Sequence, residues 1–281
     1  MGDLDYISVN LEVCMKADLK FPYLDYGFLY GYGLFETVLV NQSEPIFLTE
    51  HYNRMKRGSI ILDTPFPYEV DEIEKSVRQL ISKNGVKNGV LNLYLTPGDR
   101  DVNALNTDFE KAFFLMVMRP LSESEINKKL RLVVRPESFQ RTPMNRLKTL
   151  SHIKNILEKR LANGFDDVLL YDRHQNILET TFANAFFVKG NRLVTPKSPV
   201  IVPGVTRQFL INNQEAFGVD ISLGEIQFSD LNEFDEIFLT NSLRGIMLVE
   251  EVDPFPALKS GPMSAKLKET YRRLIESEIK T

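Results

Sequence analysis

The segment Thr195–Arg207, TPKSPVIVPGVTR, sets a Pro-Gly pair directly before a helix-like run that begins Thr206-Arg-Gln-Phe-Leu-Ile. A helix starting here leaves its first backbone N–H groups unpaired and directed back at the turn. Those donors and the helix dipole suit a bound phosphate. Gly204 lets the backbone come close to an anion, and Thr206 adds a hydroxyl. A plain loop-to-helix junction has the same residues, so other side chains must complete any anion site. The glycine-punctuated run Asp25-Tyr-Gly-Phe-Leu-Tyr-Gly-Tyr-Gly is a second place where backbone can wrap a phosphate. No helix is expected after it, so a dinucleotide loop is excluded on context and a close-packed turn is expected.

Composition limits the chemistry further. The 281 residues suffice for two domains of ordinary size, and 43% hydrophobic with 26% charged residues is the balance of a soluble globular protein. A formal net charge of −4 offers no basic field for nucleic acid. Cys14 is the only cysteine, which rules out an intramolecular disulfide and fits a reducing compartment. With three histidines beside it, little is left for a metal site, and none is expected. The N-terminal MGDLDYISVN lacks the pattern of a signal peptide, and no apolar run approaches the roughly 20 residues of a membrane span. A cytoplasmic protein is expected.

The elements that must position these residues follow from periodicity. Tyr6 to Val13 reads as a strand or hairpin, and Phe35 to Val40 as a strand ending in a turn at Asn41-Gln-Ser-Glu. Thr49 is placed to cap a helix from Glu50 to about Leu62, and a second helix from about Glu69 to Asn84 stops near Gly85. Strands are expected at Val90–Leu95 and Ala112–Met118, separated by a polar loop, Pro97–Asp108, long enough to be functional. Residues 1–119 are read as a small N-terminal domain, 120–129 as a linker, and 130–281 as a larger domain. The second part holds a strand from Leu130, a helix over Ser151–Asn163, hairpins in series between Asp166 and Val194, a helix after Gly204, three more strands and a terminal helix from about Ser264. The order gives an α+β protein, with a small α/β N-terminal domain and a β-rich C-terminal one.

Six segments, in order, carry a resemblance. They are Asp25–Thr37 (DYGFLYGYGLFET), His51–Arg54 (HYNR), Arg146–Leu150 (RLKTL), Glu179–Phe187 (ETTFANAFF), Thr195–Arg207, and Thr240–Leu243 (TNSL). Together they resemble the fold-type-IV enzymes that use pyridoxal 5'-phosphate, a group spanning branched-chain and D-amino-acid aminotransferases and 4-amino-4-deoxychorismate lyase. The resemblance covers nearly the whole chain.

It implies roles residue by residue. Lys148 matches the lysine that holds the cofactor aldehyde as a Schiff base and later shuttles a proton. Glu179 matches the carboxylate set against the pyridine nitrogen. Arg54 matches a phosphate-binding arginine. The N–H groups of Val205 and Thr206 match the phosphate turn, and Ser242 a further phosphate hydroxyl, with Thr240 or Asn241 as alternatives in that register. Val202 falls where an aliphatic side chain packs on the ring. Asn184 and His51 match positions that brace structure. His152 stands where lyase-like relatives often have tyrosine, and is either a neighbour of the cofactor oxygen or a packed helix residue. Arg100 either takes the substrate carboxylate or is solvated, since Asn92 stands where many relatives have a basic residue.

The patterns D-x-G-F-L-Y-G-x-G-x-F-E-T and K-T-L-x-x-x-x-N look closest to aminodeoxychorismate lyase. Ile153 stands where branched-chain aminotransferases have a tyrosine, and Phe35 where D-amino-acid aminotransferases do. The resemblance therefore implies a lyase releasing pyruvate and 4-aminobenzoate for folate synthesis, with a class IV aminotransferase as the alternative. A non-catalytic binding relative is the remaining reading, and the presence of both Lys148 and Glu179 speaks against it. A small-molecule substrate, a homodimer, and no nucleic acid or membrane partner complete the expectation.

Overall fold

Short alternating strands and two amphipathic helices build the first of two compact units, Met1–Ser122 with Leu147–His152; the second is Glu123–Arg146 with Ile153–Thr281. The computed structural model describes residues 4–98, 111–121 and 128–279. In the first unit β1 (Tyr6–Val9) and β2 (Glu12–Met15) form a hairpin whose turn residues Asn10 and Leu11 have positive φ. A short helix α1 (Tyr26–Tyr30), β3 (Leu34–Asn41), β4 (Glu44–Pro45), α2 (Leu48–Ile61), α3 (Val70–Asn84), β5 (Gly89–Thr96) and β6 (Phe113–Pro120) follow. The strands form a six-stranded sheet in the order β2-β1-β6-β5-β3-β4, antiparallel throughout.

Helix α3 buries Ile73, Ser76, Val77, Leu80 and Ile81, the spacing of a single helix face. Its ends are set locally: the Glu69 N–H donates to Glu72 Oε2 at 2.9 Å, and Gly85 adopts the left-handed conformation past the last turn. The helix packs on β1 and β2, and its buried apolar residues belong to one core cluster with Val38, Leu91, Leu93 and Met116. Thr49 does not cap α2, because the helix begins at Leu48 behind a left-handed Phe47, and burial of Leu48 fixes the start two residues earlier. The glycines near residue 30 are used for close packing, with one short helix among them. A Cβ at Gly27 would collide with Thr96, and one at Gly33 with the Leu95 carbonyl. Asp25 caps α1 through the N–H of Gly27 at 2.6 Å and accepts from Thr96 Oγ1 at 2.5 Å.

The second unit holds β7 (Leu130–Pro136), α4 (Ile153–Arg160), β8 (Asp167–Tyr171), β9 (Ile177–Thr180), β10 (Asn184–Lys189), β11 (Arg192–Pro196), α5 (Val205–Asn212), α6 (Gln214–Phe217), β12 (Asp220–Gly224), β13 (Glu236–Asn241), β14 (Gly245–Asp253) and α7 (Pro262–Glu278). Eight strands form one mixed sheet in the order β12-β11-β10-β13-β14-β7-β8-β9. The pairs β11–β12, β14–β7 and β7–β8 are parallel. Phe187, Ile237, Leu239, Met247, Val252 and Phe255 form its core. The helix expected over Ser151–Asn163 is shorter, and the one after Gly204 is split at Asn213.

Glu236 fastens α7 to the sheet. Its carboxylate accepts from the N–H groups of Gly261 (2.8 Å), Met263 (3.0 Å) and Ser264 (2.8 Å), and from Ser264 Oγ (2.6 Å). Burial alone would raise this carboxyl, but the Ser264 and backbone donors hold it below the ordinary glutamate value of 4.5. A depressed folded-state value means the stabilisation is complete above about 4.5 and is lost as pH falls through the folded value. Glu236→Ala should cost about 2 kcal/mol at neutral pH, with the difference from the parent shrinking in denaturant titrations run below pH 4.5.

Candidate active site

In the second unit the site grows from the end of β9. Glu179 is 5% exposed, as expected of a carboxylate with assigned partners and not of a surface residue. Arg141 Nη1 donates to its Oε1 at 2.5 Å, Asn184 Nδ2 to its Oε2 at 2.9 Å, and the Val202 N–H to both oxygens at 3.2–3.3 Å. Asn184 Nδ2 also donates to the Val202 carbonyl at 3.0 Å, so one side chain ties the carboxylate to the loop before Gly204. Arg141 itself is nearly buried, and its Nε lies 3.6 Å from Glu137. The sequence reading missed Arg141, which is a lone arginine in a polar stretch with no periodicity to mark it.

A helix starts directly after the Pro-Gly pair, as expected. Gly204 is the N-cap of α5 in extended conformation, with no side chain capping the helix. Val205, Thr206 and Arg207 form the first turn, whose N–H groups have no acceptor within the helix. A Cβ at Gly204 would collide with Asn184 Oδ1, so only glycine fits. Arg207 is buried and holds the turn to β11, donating from Nε to Thr195 Oγ1 and from Nη2 to the Pro196 carbonyl, both at 3.0 Å. Burial pushes this guanidinium below its ordinary value, helped by Arg146 and opposed by Glu179.

Two hydroxyls in this unit, Thr206 Oγ1 and Thr240 Oγ1, are buried without a hydrogen-bond partner. Leaving a buried hydroxyl unpaired costs about 1–3 kcal/mol, so a ligand acceptor is the natural complement. Thr240 pairs directly with Asn184 across β13 and β10, while Ser242 lies in the following turn and is half-buried. Asn241 is committed to that turn, accepting from the N–H groups of Leu243 and Arg244. Of the three candidates in this stretch, Thr240 is the one whose hydroxyl is both buried and unmet.

In the first unit, the segment around Lys148 runs beside the start of β3: the Phe35 N–H donates to the Lys148 carbonyl at 2.9 Å and the Leu150 N–H to the Gly33 carbonyl at 3.0 Å. Lys148 Nζ lies over the Phe35 ring, 4.1 Å from its centroid. His152 meets the same ring edge-on at 5.5 Å. Burial, reinforced by the positive charge of Lys148, lowers the His152 pKa below its ordinary 6.5. Arg54 and His51, on one face of α2, both reach Glu36 of β3. Arg100 lies outside the described residues.

A protein-family model for amino-transferase class IV matches residues 33–252. The chain belongs to that family. It is a pyridoxal-phosphate-dependent enzyme with the α+β fold of the family. It is 27% identical to the aminodeoxychorismate lyase of Bacillus subtilis (strain 168), over 97% of this chain and 96% of that one. It is 24% identical to the D-alanine aminotransferase of Staphylococcus aureus (strain MSSA476), over 98% and 99%. The branched-chain aminotransferase of the thermophilic archaeon Thermoproteus uzoniensis, solved with norvaline, superposes with a TM-score of 0.88 at 22% identity, covering 97% and 95%. The residues present suit this cofactor: two orphaned hydroxyls, a side-chain-free turn at Gly204 and an ordered carboxylate at Glu179 are the donors and acceptor that a phosphate and a pyridine nitrogen require. Among the described residues no helix is long and apolar enough to cross a membrane, and no cluster of His, Cys, Asp and Glu suits a metal ion.

Proposed function

We propose that the protein is an aminodeoxychorismate lyase, releasing pyruvate and 4-aminobenzoate. The feature that carries this reading is the Lys-Thr-Leu-x-x-x-x-Asn run at residues 148–155, since the 27% identity to such a lyase along 97% of the chain is matched by 27% identity to a branched-chain aminotransferase relative from Methanocaldococcus jannaschii along 95%. Ile153 and Phe35, standing where aminotransferases of the two main types carry tyrosine, support the same choice.

Bound through an amine, pyridoxal phosphate supplies an electron sink for the pair left when the adjacent C–H bond breaks. Lys148 is the group that holds the cofactor and then takes that proton on Nζ. Glu179, kept in place by Arg141, Asn184 and the Val202 N–H, offers its charge to the ring nitrogen. Val202 would pack on the ring. The N–H groups of Val205 and Thr206, the hydroxyls of Thr206 and of Thr240 or Ser242, and Arg54 would take the phosphate. In the lyase reaction the neighbouring carbon–oxygen bond breaks as the ring becomes aromatic, and the departing enolpyruvate takes up a proton to give pyruvate. Burial and the charge of Lys148 lower the His152 pKa, and His152 and Arg100 are the residues assigned to the substrate in this reading.

The functional unit is read as a cytoplasmic homodimer. Ile153, Ile156, Leu157 and Leu161 make an exposed apolar stripe along and just beyond α4, with exposed Phe182 in the same unit. Purified enzyme given aminodeoxychorismate should form pyruvate and 4-aminobenzoate in equal amounts. Turnover only with a panel of amino acids and 2-oxoglutarate would replace the lyase with an aminotransferase.

A further inference from the structure

The alternation of β3 sends Leu34, Glu36, Val38 and Val40 to one buried face, so a carboxylate sits in a row of core aliphatics at 1% exposure. Three bonds hold it. Arg54 Nε donates to Oε1 at 2.7 Å and Arg54 Nη2 to Oε2 at 2.6 Å, while His51 Nδ1 lies 2.6 Å from Oε2. Burial alone would raise the Glu36 carboxyl, but Arg54 and His51 together hold it well below the usual carboxylate range. His51 is fully buried and its Nε2 has no hydrogen-bond partner, so the imidazole is committed to Glu36 through one nitrogen while the other goes unmet.

Fold stability gives no reason for this arrangement. Replacing a buried ion cluster by aliphatics of similar volume is commonly neutral or stabilising, and the neighbouring positions on this face are already aliphatic. The contacts themselves suggest its use. Two of the three guanidinium nitrogens grip the two carboxylate oxygens side-on, which fixes the plane of the Arg54 head group as a planar fork.

The geometry points to Glu36 as a positioning residue, braced by His51, that sets the orientation in which Arg54 receives the cofactor phosphate without touching the phosphate itself. The inference rests on the reading of Arg54 as a phosphate ligand. A guanidinium held in advance loses less freedom on binding than one that must be ordered by the ligand.

The test compares pyridoxal phosphate with pyridoxal, which lacks the phosphate, in equilibrium titrations of the full-length apo-protein. Glu36→Gln should weaken pyridoxal phosphate about tenfold or more, in the range seen when groups behind a ligand-binding side chain are removed, and leave pyridoxal within about twofold. Arg54→Met, which reports on the underlying reading, should show the same pattern more strongly. If Arg54→Met weakens pyridoxal phosphate and Glu36→Gln does not, the positioning role is wrong and the phosphate ligand stands. Unchanged affinity in Arg54→Met removes both. Equal loss for both ligands in Glu36→Gln means a structural role only and overturns the inference. Glu36→Asp covers a failure of the glutamine variant to fold: it keeps the buried charge but is one methylene short. It should give a smaller loss, about threefold, for the phosphorylated ligand alone, and full affinity would sink the proposal.

Discussion

Lys148→Ala should lower turnover on the order of 10^4-fold and abolish the visible absorbance of cofactor bound to the purified protein. The size of the effect follows from two tasks resting on one amine, covalent attachment and proton transfer. The fold should tolerate the change. Lys148 is half-buried, and a cation over an aromatic ring at a partly exposed site contributes about 0.5–1 kcal/mol, so the melting temperature of the variant should lie close to that of the parent apo-protein. Its positive charge is also one reason His152 titrates below 6.5. Removing it should move the His152 pKa upward in the apo-protein, as read by imidazole NMR, which shows the local structure intact in a dead enzyme. Lys148→Arg separates charge from chemistry. It restores a cation over Phe35 but supplies no amine that can deprotonate, so activity should stay lost. Retained turnover in either variant would remove Lys148 from the reaction.

Much of the molecule could be read from sequence where local chemistry decides the outcome. Helix α3 follows from its apolar spacing, its Glu69 and Glu72 start and its Gly85 stop. The helix start at Gly204 follows from a Pro-Gly pair set directly before a helix-like run. What stayed hidden depends on distant partners. The parallel pairing of β14, β7 and β8 joins strands far apart in the chain, and no local pattern encodes it. The phase of β3 was equally closed to inspection. Leu34, Val38 and Val40 compete with Phe35 and Leu39 as the apolar face, so nothing in the sequence says that Glu36 points inward. Thr49 failed as a cap because burial of Leu48 outweighed a favourable side chain. Thr240 and Ser242 are both plausible hydroxyls in sequence, and burial separates them.

Glu179→Gln is the second substitution with a large expected effect, and its consequences reach stability as well as turnover. Arg141 and Glu179 have side-chain exposures of 9% and 6% and meet at 2.5 Å. Removing the charge of one partner leaves a buried guanidinium with Glu137, 3.6 Å away, and the Val200 carbonyl, 3.4 Å away, among the described residues. Breaking a buried pair from one side costs about 3 kcal/mol, so the variant should unfold at clearly lower denaturant. Turnover should fall by about 10^2-fold, because a neutral amide cannot hold positive charge on the ring nitrogen. Arg141→Met should show a similar stability loss, since it strands the carboxylate instead. The double variant is the informative one. With both charges gone and Asn184 still bonded to the amide, its stability should lie well above the sum of the single losses, with a coupling of about 1–3 kcal/mol. Its turnover should match that of Glu179→Gln alone, because Arg141 acts on the cofactor only through the carboxylate. Additive losses in both measurements would mean that the two residues serve separate ends, and turnover of Glu179→Gln within about threefold of the parent would take the carboxylate out of the chemistry altogether.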